Sequence, residues 1–251
     1  MKKLITFHLA VFLLLNFYSL SAQKISEKEI KKSMLAAFKW QEANPKHDLT
    51  DWTNGAYYIG VTKAYLATGN KAYLRGLQAM AEKNQWKPGE RWYHADDITI
   101  CQSYLYMAEN RVKGSDLSPT KTVLDRVMNE TYAWEGDMKD VQPIYWWWCD
   151  ALFMAPPVFV QFGVMKDNWD YLESNDLLYK ECYDLLYDQE EHLFARDMRY
   201  QWKGDGEYMK EENGKKIFWS RGNGWVIGGL ALLLQLMPDD YTNRGFYVDL
   251  Y

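Results

Sequence analysis

The sequence predicts an all-α protein, an α/α toroid of helical hairpins, and three observations predict it. Two kinds of helical segment alternate along the 251 residues, one apolar on nearly every face and one amphipathic. Short turns rich in Gly, Asn and Pro separate them. The period-two pattern that a half-buried strand requires is confined to one stretch near residue 200. Buried helices alternating with half-exposed ones describe an inner layer wrapped by an outer layer.

The elements follow in order. Ser26-Glu27-Lys28-Glu29 is a capping box, which opens a helix running to about Ala43, before Asn44-Pro45. Thr53 to Ala67 carries Ala56, Tyr57, Tyr58, Ile59, Val61, Ala64, Tyr65 and Leu66, apolar nearly all round, and reads as the first inner helix. Gly69 suits a left-handed helix stop. Tyr73, Leu77 and Met80 then recur at i, i+4, i+7 with charges between them, an outer helix. Asp97 to Ala108 is the second inner helix, and Ser118-Pro119 opens the next outer one, with Val123, Leu124, Val127 and Met128 inward. Ala151 to Val164 is the third inner helix, which Pro156-Pro157 must kink or restart. Tyr171 to Leu186 is its outer partner. Phe194–Trp202 and Glu207–Phe218 read as a short hairpin around Gly204-Asp205-Gly206. Gly222 to Met237 is the fourth inner helix, stopped by Pro238.

The count is eight helices and the start of a ninth near Phe246. A closed ring of six hairpins needs twelve, so the toroid is expected to be incomplete at its C-terminus. Asp239–Arg244 reads as a turn and Gly245–Tyr251 as an outer helix cut short.

Lys2 and Lys3, an apolar run from Leu4 to about Tyr18, and Ser19-Leu20-Ser21-Ala22 have the layout of a secretory signal peptide over residues 1–22. The run is shorter than the roughly 20 residues that span a bilayer, and no cysteine follows it, so no membrane anchor is expected after cleavage. The expected product is exported, most simply to the periplasm, with residues 23–251 as one α/α-toroid domain. Removing the two lysines of the leader takes the net charge from −5 to −7. An acidic chain repels phosphate backbones, which argues against nucleic acid as a partner. Cys101, Cys149 and Cys182 lack metal-ligand spacing and read as core thiols, with one disulfide left open. No metal or cofactor motif is present. The 12 Trp, 19 Tyr and 10 Phe pack cores, but they also stack on sugar rings and favour carbohydrate as the ligand.

Polar residues concentrate where the inner helices begin. The four openings read Asp51-Trp52-Thr53-Asn54-Gly55, Trp92-Tyr93-His94-Ala95-Asp96-Asp97, Tyr145-Trp146-Trp147-Trp148-Cys149-Asp150 and Trp219-Ser220-Arg221-Gly222-Asn223-Gly224-Trp225. Parallel inner helices would bring these openings to one rim. Each Asp taken alone has a structural alternative, an N-cap on free backbone N–H groups. The Trp146–Trp148 run divides between core and pocket, because one helix cannot aim all three at one cavity.

These motifs resemble the unsaturated rhamnogalacturonyl hydrolases of glycoside hydrolase family 105, relatives of the unsaturated glucuronyl hydrolases. The resemblance lies in Asp51-Trp-Thr-Asn-Gly-Ala-Tyr-Tyr-Ile-Gly, His94-Ala-Asp-Asp, Trp148-Cys-Asp-Ala-Leu-Phe-Met-Ala-Pro-Pro and Ser220-Arg-Gly-Asn-Gly-Trp. It implies an (α/α)6 toroid and an unsaturated oligosaccharide substrate. The implied reaction hydrolyses the 4,5-unsaturated uronic acid that polysaccharide lyases leave at the non-reducing ends of pectin fragments. Asp150 matches the catalytic aspartate, and Asp97, with Asp96 close behind, the second acid. Arg221 and Trp225 match residues lining the substrate site, with Asp51, Trp148 and His94 beside them. Arg196 stands where some relatives have a histidine, which bears on what the protein accepts. Competing readings are a non-catalytic periplasmic glycan-binding protein and a toroid sugar epimerase. The epimerase would want several active-site histidines, where the chain has four in all, one in the leader.

The chemistry accounts for the residue types. A 4,5-unsaturated uronate is a vinyl ether, so protonation at C4 makes an oxocarbenium-like centre at C5. Water adds there, and the hemiketal opens and expels the rest of the sugar. The acid must hold its proton when substrate binds, and an Asp starts near pKa 3.9. Burial against indoles and a neighbouring carboxylate both raise it. An arginine fork suits the substrate's own carboxylate.

Overall fold

The computed structural model describes residues 26–132, 144–202 and 208–251. The leader-like residues 1–22 and the expected hairpin tip at Gly204–Gly206 lie outside them. The described residues fall into two units, divided after Asn44. In the first, α1 spans Glu27–Ala43. Its capping box is complete: Ser26 accepts from the Glu29 N–H, and the Glu29 carboxylate accepts from the Ser26 N–H at 2.9 Å. No helix among the described residues is long and apolar enough to cross a membrane.

In the second unit the expected alternation appears as hairpins. The inner helices are α2 (Trp52–Thr68), α4 with α5 (Ala95–Ile98, Cys101–Glu109), α7 with α8 (Ala151–Met154, Pro156–Lys166) and α10 (Ser220–Leu236). The outer ones are α3 (Lys71–Lys83), α6 (Ser118–Asn129), α9 (Asp170–Leu186) and α11 (Arg244–Leu250). Going round the inner layer, α2 packs on α5, α5 on α8 and α8 on α10. Outer α3 covers α2, α9 covers α8 and α11 covers α10. Tyr73, Leu77 and Met80 on α3 are buried as their spacing requires, as are Val123, Leu124 and Val127 on α6. Gly69 stops α2 at φ 66°, and the three cysteines are buried free thiols.

Two departures have physical causes. Two short strands, β1 (Tyr187–Asp188) and β2 (Leu193–Phe194), form the only ladder among the described residues, earlier than the expected hairpin. Between the expected arms the Met209 N–H donates to the Arg199 carbonyl at 3.0 Å, while the second arm folds back on itself through a bridge between Lys210 and Lys216. Too few residues of that region face a core to specify a longer register. Burial on every face holds for α8 from Pro156 to Gly163, ending at the exposed Val164, but fails for the first and fourth inner helices. Leu66 on α2 is 58% exposed and Ile227 on α10 is 55% exposed.

The Pro156-Pro157 break is built in. Two missing N–H groups leave carbonyls unpaired at the α7–α8 junction. The Gln102 side-chain amide, reaching across from α5, donates to the Phe153 and Met154 carbonyls at 3.0 Å each. Beside them α10 presses close: a Cβ on Gly229 would collide with the Leu152 carbonyl oxygen, a backbone atom that cannot turn away. Gly229→Ala is therefore expected to destabilise by about 1–3 kcal/mol through overpacking. Gly60→Ala, in α2 with open space around its Cβ, should be neutral or stabilising by up to about 1 kcal/mol. Urea midpoints of the two variants check this, and equal midpoints would refute the close approach.

Candidate active site

The starts of all four inner helical segments open on one cavity of about 680 Å³. Trp52 comes from α2, His94 and Asp96 from the approach to α4, Trp148 and Asp150 from the approach to α7, and Arg221 from the first turn of α10. The segment after β2 closes a side with Arg196, Asp197, Arg199 and Tyr200. The backbone holds this wall in place. The Cys149 N–H donates to the Arg196 carbonyl at 2.9 Å, and Trp148 pairs with Asp197 as an antiparallel bridge. The Asn223 side chain completes it, accepting from the Phe194 N–H at 2.8 Å and donating to the Phe194 carbonyl at 3.0 Å.

The aspartates now separate. Asp51 is an N-cap: its carboxylate accepts from the Thr53 N–H at 2.9 Å and hydroxyl at 2.5 Å, and it does not line the cavity. Asp97 is buried outside the cavity lining, in a two-pronged pair with Arg91 at 2.6 and 3.0 Å and a bond from the Arg91 N–H at 2.8 Å. Of the two, Asp97 is committed to Arg91, while Asp96 lines the cavity. The reason is helical geometry, since adjacent residues of α4 point about 100° apart. Asp150 precedes α7 without using its carboxyl as a cap, which leaves that group to the cavity.

Burial raises Asp96 to about 7, with the nearby Asp150 charge adding to it. Burial also raises Asp150 from its ordinary value, against backbone hydrogen bonding and the charges of Arg196 and Arg221. His94 moves the other way, to about 4, because burial and then Arg91 disfavour its cation. Its 3.8 Å approach to Asp96 is thus no ion pair at neutral pH. His94 Nδ1 accepts from the Asp96 N–H at 3.3 Å, which leaves Nε2 to carry the hydrogen as a donor. The ring rests on Trp148, centroids 4.4 Å apart.

The indoles also divide. Trp146 is buried against Phe159, whereas Trp147 and Trp148 face the cavity. Trp225, expected in the site, lies behind it against Phe153 at 4.7 Å, edge-on to Trp52. Trp52 takes the lining position and was not among the expected site residues. Trp219 was missed too. It carries Arg221 over its ring at 4.6 Å. Both stand beside expected residues within the recognised motifs, which was the available signal. Among the described residues no cluster of His, Cys, Asp or Glu is arranged to hold a metal ion.

Two raised carboxyls, a neutral imidazole donor, arginines and indole walls around one cavity suit acid chemistry on a charged sugar. The family model for glycosyl hydrolase family 88 matches residues 23–251. The chain belongs to glycosyl hydrolase family 88. This family 88 chain is 48% identical over 240 residues to the unsaturated 3S-rhamnoglycuronyl hydrolase of Formosa agariphila, covering 92% of the chain and 64% of that relative. It is 32% identical over 217 residues to the unsaturated 3S-rhamnoglycuronyl hydrolase of an Alteromonas species, covering 80% of the chain and 50% of that relative. It thus spans one half to just under two thirds of the length of these curated relatives. A solved family 88 glycosyl hydrolase from Bacteroides vulgatus superposes with a TM-score of 0.75 at 25% identity, over 88% of this chain and 65% of that one. The α/α toroid expected from the sequence is the fold of this structural neighbour.

Proposed function

We propose that this family 88 chain carries the site of a hydrolase that removes a 4,5-unsaturated uronic acid from lyase-generated oligosaccharides. The carrying observation is the pair Asp150 and Asp96, two uncapped carboxyls in one cavity with raised pKa values. Asp150 donates its proton to C4 of the vinyl ether and then takes a proton from the water that adds at C5. Asp96 takes the supporting role that sequence alone gave to Asp97, and His94 Nε2–H donates to a sugar hydroxyl. Arg221 grips the uronate carboxylate, and Trp148 and Trp52 offer faces to the rings.

The nearest sugar is read as rhamnose, as in rhamnogalacturonan fragments and in the rhamnoglycuronyl compounds of the relatives' names. The motifs favour the family 105 type of this chemistry. An exported, periplasmic location belongs to the same reading and rests on the leader-like residues 1–22. Loss of the ultraviolet absorbance of the conjugated double bond tests it on a panel of unsaturated disaccharides. Binding without loss of absorbance would instead support a glycan-binding protein.

Arg221 gives a sharper test. Arg221→Lys keeps the charge and loses the planar fork, so KM for the unsaturated uronate should rise about 10-fold or more, the equivalent of roughly 1.5–3 kcal/mol. Unchanged KM and kcat would remove Arg221 from substrate binding.

A further inference from the structure

Asp97 does not line the cavity, yet the loop that carries His94 and Asp96 is built around it. One residue takes both of its oxygens. The Arg91 Nε and Nη2 groups donate to Oδ1 at 3.0 and 2.6 Å, and the Arg91 main-chain N–H donates to Oδ2 at 2.8 Å. The main chain closes the same loop. The Gly89 N–H donates to the Asp97 carbonyl at 2.9 Å, the His94 N–H to the Arg91 carbonyl at 2.9 Å and the Asp97 N–H to the His94 carbonyl at 3.1 Å. Gly89 lies so close that a Cβ there would stand 2.4 Å from the Asp97 carboxylate. Residues 92–96 are thus tied down at both ends. At Asp96 the two partners oppose each other: the Arg91 cation favours the ionised carboxyl and the Asp97 anion the protonated one.

We propose that Arg91 and Asp97 are positioning residues for the supporting acid: their pairing locks the 89–97 loop so that Asp96 and His94 face the cavity, and it offsets the Arg91 charge beside Asp96. This rests on the proposed function, in which Asp96 supports Asp150. Asp96 is faced on its own loop by Arg91, Asp97 and the neutral His94, from the approach to α7 by Asp150 and from the start of α2 by Asp51. Arg196, Asp197, Arg199 and Arg221 line the same cavity. Arg91 and Asp97 are a bonded pair outside that lining, so both can be altered without touching a group that meets substrate.

The test compares the parent, Asp97→Asn, Arg91→Lys and the double variant Arg91→Gln with Asp97→Asn on an unsaturated uronyl disaccharide. For each, kcat per folded molecule is followed against pH, and the Asp96 carboxyl titration is followed by NMR. In Asp97→Asn the side-chain oxygen still holds the guanidinium, whose charge is now uncompensated. A nearby cation favours the carboxylate, so the alkaline limb of kcat and the Asp96 titration should both move to lower pH by about one unit. Removing the cation as well should return both to the parent pH, while kcat stays down by about tenfold or more because the loop is no longer locked. Arg91→Lys keeps the charge and part of the grip, so its limb should hold and its kcat should lie between those of the parent and the double variant. A limb and titration unmoved in Asp97→Asn, or moved as far in the double variant, would overturn the proposal and leave the pair a structural contact. So would a parent-like kcat in the double variant, which carries no unpaired charge and remains informative even if Asp97→Asn does not fold. If the parent turned over no disaccharide, the proposed hydrolysis would fail, while the Asp96 titration would still decide the role of the pair.

Discussion

Asp150→Asn should lower turnover of an unsaturated uronyl disaccharide by about 10²–10⁴-fold while leaving its Kd within a few fold. The amide has the size and polarity of the acid but no proton to give to C4. The substitution should fold normally, because the carboxyl makes no capping bond to α7. Removing a half-buried acid also removes its desolvation cost, so the melting temperature should hold or rise. Turnover within tenfold of the parent rate would end the assignment of Asp150 as the acid. A loss of binding equal to the loss of rate would recast it as a substrate ligand.

Asp96→Asn should act through pH as well as rate. Burial, and after it the charge of Asp150, raises the Asp96 carboxyl to about 7. The two carboxyls titrate as a coupled pair. In the parent, activity should fall as pH rises through about 7 and the shared proton is lost. Without the Asp96 charge, Asp150 holds its proton less tightly, so the alkaline limb of kcat should move to lower pH. A rate loss on the order of 10²-fold at neutral pH should accompany the shift.

Stability provides a second reading of the same group. A carboxyl whose folded pKa is raised disfavours folding once it ionises. This cost is absent below about 4, grows between about 4 and 7, and is constant above. Each unit is worth about 1.36 kcal/mol, so roughly 4 kcal/mol is its ceiling. Asp96→Asn should therefore gain stability over the parent at pH 8 and match it at pH 4. A gap that did not change between those pH values, measured by urea denaturation, would show that Asp96 is not the group that titrates. Asp97→Asn should behave oppositely and destabilise at neutral pH, because it leaves Arg91 without its two-pronged partner.

The order of elements and the layer each belongs to were legible in the sequence, because burial leaves a periodic trace of apolar residues. The capping box at Ser26, the stop at Gly69 and the restart at Pro156 were legible for the same local reason: each is a backbone requirement met within a few residues. The cavity rim was legible as well, since polar residues opening apolar helices have few other uses. Which of two adjacent aspartates faces the cavity was not legible, and the structure chose Asp96. That choice depends on Arg91, whose side chain reaches back from the preceding loop to hold Asp97. Trp52 rather than Trp225 lines the site for a similar reason: Phe153, on another inner segment, occupies the other side of the Trp225 ring. The sequence alone determined layers, caps and the end of the helices where chemistry gathers, because those follow from local periodicity and backbone hydrogen bonding. Only the tertiary structure decided which carboxyl is free and which indole is exposed, because each depends on a side chain brought in from a different helix or loop.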